Sequence, residues 1–119
     1  MTLADQWTCV AGDLSNLTLR RGVDIGPLPD QPNFATVRVR FVGLNFADVF
    51  SCLGLYSATP EGEFVPGLEF SGVIERVSEG TNSFNVGDEV FGVKKFGAYS
   101  TYLHVNLAYT RKLPEGWSL

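Results

Sequence analysis

Thirteen glycines and six prolines are scattered along this chain and nowhere gathered into one linker. That spacing constrains the fold more than any other feature. Glycine and proline punctuate a chain with turns, so its regular elements must be short, and short strands suit such spacing best. The 119 residues are 45% hydrophobic and 13% aromatic, enough to bury a core within one domain.

Strand and helix signals follow one another along the sequence. Residues 1–16 carry no clear period. Leu17 to Val23 alternates weakly and reads as a strand. Three prolines between Pro27 and Pro32 mark a loop, because proline cannot donate a ladder hydrogen bond. Thr36 to Leu44 is the clearest strand, with Val37, Val39 and Phe41 facing one way and Arg38 and Arg40 the other. From Asn45 the period becomes helical: Phe46, Val49, Phe50 and Leu53 share a face, Asn45 suits the N-cap, Asp48 lies in the first turn, and Gly54 is a stop. Val73–Val77, Val86–Phe91 and Ala98–Val105 return to strand patterns. A small antiparallel barrel or sandwich with one short helix is expected.

Charge and termini narrow the function classes. A net charge of -4 and a pI near 4.8 disfavour nucleic acid, whose phosphates need a basic face. Lys94, Lys95, Arg111 and Lys112 make no stripe and are expected at solvated positions. The start, Met1 to Gln6, lacks the basic and apolar regions of a signal peptide, and no apolar run approaches membrane-spanning length. Cys9 and Cys52 form no C-x-x-C pair; a disulfide between them stays open, but two unpatterned cysteines fit a reducing cytosol better. A cytoplasmic location is the expectation.

Several side chains are candidates for chemistry, each with a plainer role beside it. Asn45 can cap the helix, bind a ligand, or do both. Asp48 is equally well explained as a first-turn carboxylate. The Tyr56 phenol can donate a hydrogen bond or pack at a rim. Glu69 is a general-base candidate beside the plainer role of pairing with a basic or amide group, and His104 a proton donor or, more plainly, a strand residue. Gly67 and Gly72 are expected where backbone geometry is tight.

Five segments occur in order: Leu44-Asn45-Phe46-Ala47-Asp48-Val49-Phe50 with Leu53-Gly54-Leu55-Tyr56, then Pro66-Gly67-Leu68-Glu69-Phe70-Ser71-Gly72-Val73, Phe84-Asn85-Val86-Gly87-Asp88-Glu89-Val90, Gly97-Ala98-Tyr99-Ser100-Thr101-Tyr102, and Leu113-Pro114-Glu115-Gly116. Together they resemble the GroES-like catalytic domain of the medium-chain dehydrogenase/reductase superfamily. Their wording is most similar to zinc-independent quinone oxidoreductases and vesicle amine transport protein-like oxidoreductases, with enoyl reductase domains of synthases also similar.

The resemblance implies a mainly β fold over residues 1–119, a GroES-like, partly open antiparallel β-barrel with one or two short helices. It implies NADPH-dependent reduction of quinones or activated α,β-unsaturated double bonds by hydride transfer. Asn45 and Tyr56 would be the catalytic residues, and Asn45, Asp48 and Phe50 would bind the cofactor. Zinc relatives have a Cys where this chain has Asn45 and a His where it has Leu68, so no metal site is expected. Phe50 departs from the Tyr of several bacterial quinone oxidoreductases, which weakens the inference to quinones in particular. No G-x-G-x-x-G follows a strand, so tight NADPH binding would need a Rossmann domain that this chain lacks. The chain alone would then be inactive. Its expected partners are a small-molecule substrate and its own Rossmann domain, with a homodimer for the full-length protein and neither nucleic acid nor a membrane span. Two alternatives remain: an enoyl reductase segment of a polyketide or fatty-acid synthase, and a non-enzymatic binding module on the same barrel.

Overall fold

A computed structural model describes residues 1–119. Eight strands form two sheets: β1 (Leu3–Val10), β2 (Thr18–Asp24), β3 (Phe34–Gly43), β4 (Glu63–Phe64), β5 (Glu69–Val77), β6 (Glu89–Val93), β7 (Tyr102–Asn106) and β8 (Thr110–Lys112). The helix α1 (Phe46–Leu53) lies between β3 and β4. Sheet order is β2-β1-β4 and β7-β3-β5-β6-β8, and every pairing is antiparallel. The segment after β6 bridges the sheets: Trp7 N–H donates to Tyr99 C=O at 3.0 Å, and Thr101 N–H to Asp5 C=O at 3.0 Å. The result is mainly β and not closed, as the resemblance implied.

Two apolar clusters hold this arrangement. The larger joins Val37, Ile74, Val90 and Val105, each at most 2% exposed, with Phe70 and Leu103. Burying each such side chain contributes roughly 1.5–3 kcal/mol. The smaller packs Cys9 of β1 and Cys52 of α1 on Phe64 of β4. Both cysteines are free thiols.

The structure departs from the sequence pattern at four places. β1 lies where no period was visible, because it buries Ala4, Thr8 and Cys9, small or polar residues that do not alternate; a bulge in β2 sets Arg21 and Gly22 opposite Asp5. In β3 the register shifts between Val39 and Phe41, so Arg40 is extra. The alternation fails there, leaving Val37 at 0% and Phe41 at 57% exposed. The strand expected from Val86 begins only at Glu89, because Asp88 Oδ2 accepts Asn85 N–H at 2.9 Å and closes a turn. The strand expected from Ala98 begins at Tyr102, since residues 98–101 are used in seating the loop on its neighbours.

Helix α1 runs as its pattern implied and ends with Gly54 in the left-handed conformation, φ 78°. Its apolar face, however, is turned outward. Phe46 is 82% and Phe50 48% exposed, while the buried helix residues are Asp48 and Cys52.

Candidate functional site

The N-terminus of α1 is built around a buried carboxylate. Asn45 is extended, with φ −126° and ψ 153°. Asp48, 4% exposed, accepts Asn45 N–H at Oδ2 at 2.9 Å and the Tyr99 hydroxyl at the same oxygen at 2.5 Å. A buried carboxylate needs such donors, because desolvation otherwise favours its neutral form. Burial, and then the bond to Asp48, push the Tyr99 phenol up from its usual pKa, so it stays protonated and donates.

Tyr99 reaches Asp48 because two sequence segments interlock. Tyr99 N–H donates to Pro66 C=O at 3.0 Å, Ala98 N–H to Gly67 C=O at 3.2 Å, and Lys94 N–H to Leu68 C=O at 2.7 Å. Gly67 makes this possible: its φ is +108°, and a Cβ there would lie 2.6 Å from Tyr99 Cδ1 and 2.8 Å from Tyr99 N. Gly72 serves a similar end between β3 and β5, where a Cβ would stand 2.2 Å from Arg38 O.

One donor in this cluster is left over. Asn45 Nδ2 is buried and has no hydrogen-bond partner. A buried unmet donor costs about 1–3 kcal/mol. No group of the protein itself satisfies this amide.

Beside the cluster runs a groove of about 1000 Å³ whose lining includes Tyr56, Leu68 and Lys94. Pro66–Leu68 joins the two regions, since its backbone carries the loop that holds both Lys94 and Tyr99. Of the residues singled out from sequence, Asn45 and Asp48 come together, and Tyr56 lines the neighbouring groove. Phe50 stands apart from both on the exposed face of α1.

Other candidates resolve into structural roles. Glu69 forms no ion pair; its carboxylate lies over Gly43, where a Cβ would sit 1.8 Å from Oε1. The His104 ring bridges Thr36 Oγ1 at 3.0 Å and the Gly26 carbonyl at 2.9 Å, tying the 25–33 loop to β3 and β7. Burial, then the neighbouring Cys9 thiol, push the Cys52 thiol up to about 12, which makes it a poor nucleophile. No group of three or more His, Cys, Asp or Glu side chains is arranged to hold a metal ion.

Two residues of the site went unassigned from sequence. Tyr99 was visible only as part of a motif, without a role. Lys94, expected at a solvated position, is instead half-buried with its pKa lowered by that burial. Nothing in its sequence neighbourhood distinguishes it from exposed Lys95.

Comparisons with known proteins identify the family of this fold. The alcohol dehydrogenase GroES-like domain family matches residues 31–115. Quinone oxidoreductase-like protein 2 of Mus musculus is 34% identical over 96 residues, 81% of this chain and 27% of that protein. Synaptic vesicle membrane protein VAT-1 homolog of Danio rerio is 42% identical over 82 residues, 69% of this chain and 17% of that protein. Among solved structures, a quinone oxidoreductase of Pseudomonas syringae superposes with a TM-score of 0.83 at 32% identity, covering 98% of this chain and 35% of that one. Escherichia coli quinone oxidoreductase, solved in complex with NADPH, gives 0.78 at 26% identity over 99% of this chain and 35% of that one. The chain thus spans about a quarter of the relatives' length or less. No helix is long and apolar enough to cross a membrane.

Proposed function

This chain belongs to the alcohol dehydrogenase GroES-like domain family, on its quinone oxidoreductase-like side, and from that premise we propose that it is the catalytic-domain portion of an NADPH-dependent, zinc-free reductase. Its substrates are quinones or activated α,β-unsaturated double bonds. The single observation that carries the reading is the buried, unpartnered Nδ2 of Asn45, a directed donor with no structural use.

Bound NADPH would supply a hydride, chemistry that no side chain of this protein can provide. The chain's own residues bind and orient. Phe50 would offer the cofactor an exposed ring on the outer face of α1, apart from the buried cluster, while Asn45 and Asp48 form the polar part of the cofactor side. Asp48 does so indirectly, because Asn45 N–H and Tyr99 hydroxyl are fixed on its carboxylate and the Asn45 backbone is thereby immobilised. Tyr56, from the groove, donates to a substrate oxygen, where negative charge develops as the double bond or quinone is reduced.

Zinc does not fit these residues. Leu68 brings a hydrocarbon side chain to the groove, Asn45 offers a neutral amide, and no three ligands converge. Charge stabilisation in the reaction therefore rests on hydrogen-bond donors. In our reading 1–119 is the GroES-like domain of a longer cytoplasmic, homodimeric protein whose Rossmann domain lies outside this chain.

The test uses a polypeptide carrying this chain together with its nucleotide-binding domain. NADPH oxidation is followed with a quinone or an enone as acceptor. Asn45→Ala should lower kcat by on the order of 10- to 100-fold, while stability changes by only about 1 kcal/mol, the worth of a cap. Unchanged kcat with a lowered melting temperature would reduce Asn45 to a cap and remove the main support for the proposal.

A further inference from the structure

The groove beside the cluster is electrostatically one-sided. The chain carries thirteen acidic residues and a net charge of -4. Yet no Asp or Glu lines this groove of about 1000 Å³, whereas Lys94 and Lys95 both do. Its walls are otherwise dominated by apolar and aromatic side chains, among them Tyr56, Phe96, Tyr102 and Tyr109.

Lys94 is the unusual member. Its ammonium donates to the His104 carbonyl at 3.0 Å and belongs to none of the four ion pairs. A half-buried ammonium held by one neutral acceptor has lost water without gaining a counter-ion, an arrangement that disfavours its charge. Its pKa is lowered accordingly, by burial. Two of its three N–H bonds remain for another acceptor. Lys95, by contrast, is exposed.

We propose that this groove binds an apolar molecule bearing a single carboxylate, and that Lys94 is the group that meets the carboxylate. The apolar walls take the hydrocarbon or ring portion, and the carboxylate completes the ion pair that the protein leaves open. As a statement of substrate class, this rests on the reductase reading of the same groove. As a statement of binding it does not, and the test below needs no nucleotide, so its failure leaves that reading untouched.

Decanoate and 1-decanol serve as probes, since they share an alkyl chain and differ in charge. Binding to the 119-residue chain is measured by isothermal titration calorimetry. Decanoate should bind about ten-fold more tightly than 1-decanol, the scale of one charge-assisted hydrogen bond. Lys94→Met, which keeps the apolar stem, should abolish that preference and leave 1-decanol binding unchanged. Lys94→Arg should retain it, and Lys95→Met should leave most of it. Equal affinity of the wild-type chain for the two probes would overturn the proposal, and so would a preference that survives Lys94→Met. If Lys94→Met does not fold, the wild-type ratio and Lys95→Met decide together, since a preference lost in Lys95→Met would overturn the assignment to Lys94.

Discussion

Removing one hydroxyl tests whether the buried carboxylate organises the site. Tyr99→Phe keeps the ring and deletes only the donor that meets Asp48 Oδ2 at 2.5 Å. Asp48 is 4% exposed, so water cannot readily replace the lost bond, and Asn45 N–H at 2.9 Å is left as its remaining donor. Hydrogen bonds to charged groups contribute about 1.5–3 kcal/mol, so a loss of about 2 kcal/mol is expected. For a chain of 119 residues this is a fall in melting temperature of roughly 8 °C. Urea unfolding should show a lower midpoint with an unchanged slope. Tyr102→Phe is the control, because the Tyr102 hydroxyl has no such buried partner; it should stay within about 0.5 kcal/mol of wild type. In the cycle with Asp48→Asn, the double variant should be less destabilised than the sum of the singles. Equal stability of Tyr99→Phe and Tyr102→Phe would refute the claim that this bond holds α1 in place.

Two further predictions concern the same framework. Gly67→Ala puts a Cβ 2.6 Å from Tyr99 Cδ1 at φ +108°, whereas Gly62→Ala, at φ +74°, meets nothing within 4 Å. Urea midpoints should therefore show Gly62→Ala losing about 1 kcal/mol and Gly67→Ala at least twice that; similar losses would show that the loop seat is not tight. Cys52, with its pKa raised from 9.0 to about 12 in the fold, binds its proton more tightly folded than unfolded. Its contribution to stability is thus complete below pH 9 and is lost as pH climbs toward 12. Tyr99 acts in the same direction from a higher pH, while Lys94 opposes both because its pKa is lowered. The wild-type urea midpoint should consequently fall more steeply between pH 8.5 and 10.5 than that of Cys52→Ala. Parallel curves would show that the Cys52 thiol is not desolvated.

Local pattern and tertiary contact divided the work unevenly. The strand after Thr36, the helix after Asn45 and its stop at Gly54 were legible because period and capping are local properties. So was the interruption of the metal-ligand pattern at Leu68, which depends on residue chemistry alone. β1 was not legible, because its small and polar buried residues become interior only when β2 and β4 flank it. Nor was the Arg40 bulge, which belongs to the pairing of β3 with β5 rather than to either strand. At the site, Asn45 and Asp48 could be named from three-residue spacing, but the role of Asp48 depends on Tyr99, 51 residues away. Likewise, Lys94 is indistinguishable from Lys95 until one amine is half-buried in a groove free of carboxylates. Sequence by itself determined the strand β3, the helix α1 and the family, since each is written in local order and side-chain chemistry. Only the tertiary structure decided which carboxylate is buried, which amide is left without a partner and which lysine lacks a counter-ion, because desolvation is set by what distant segments bring alongside.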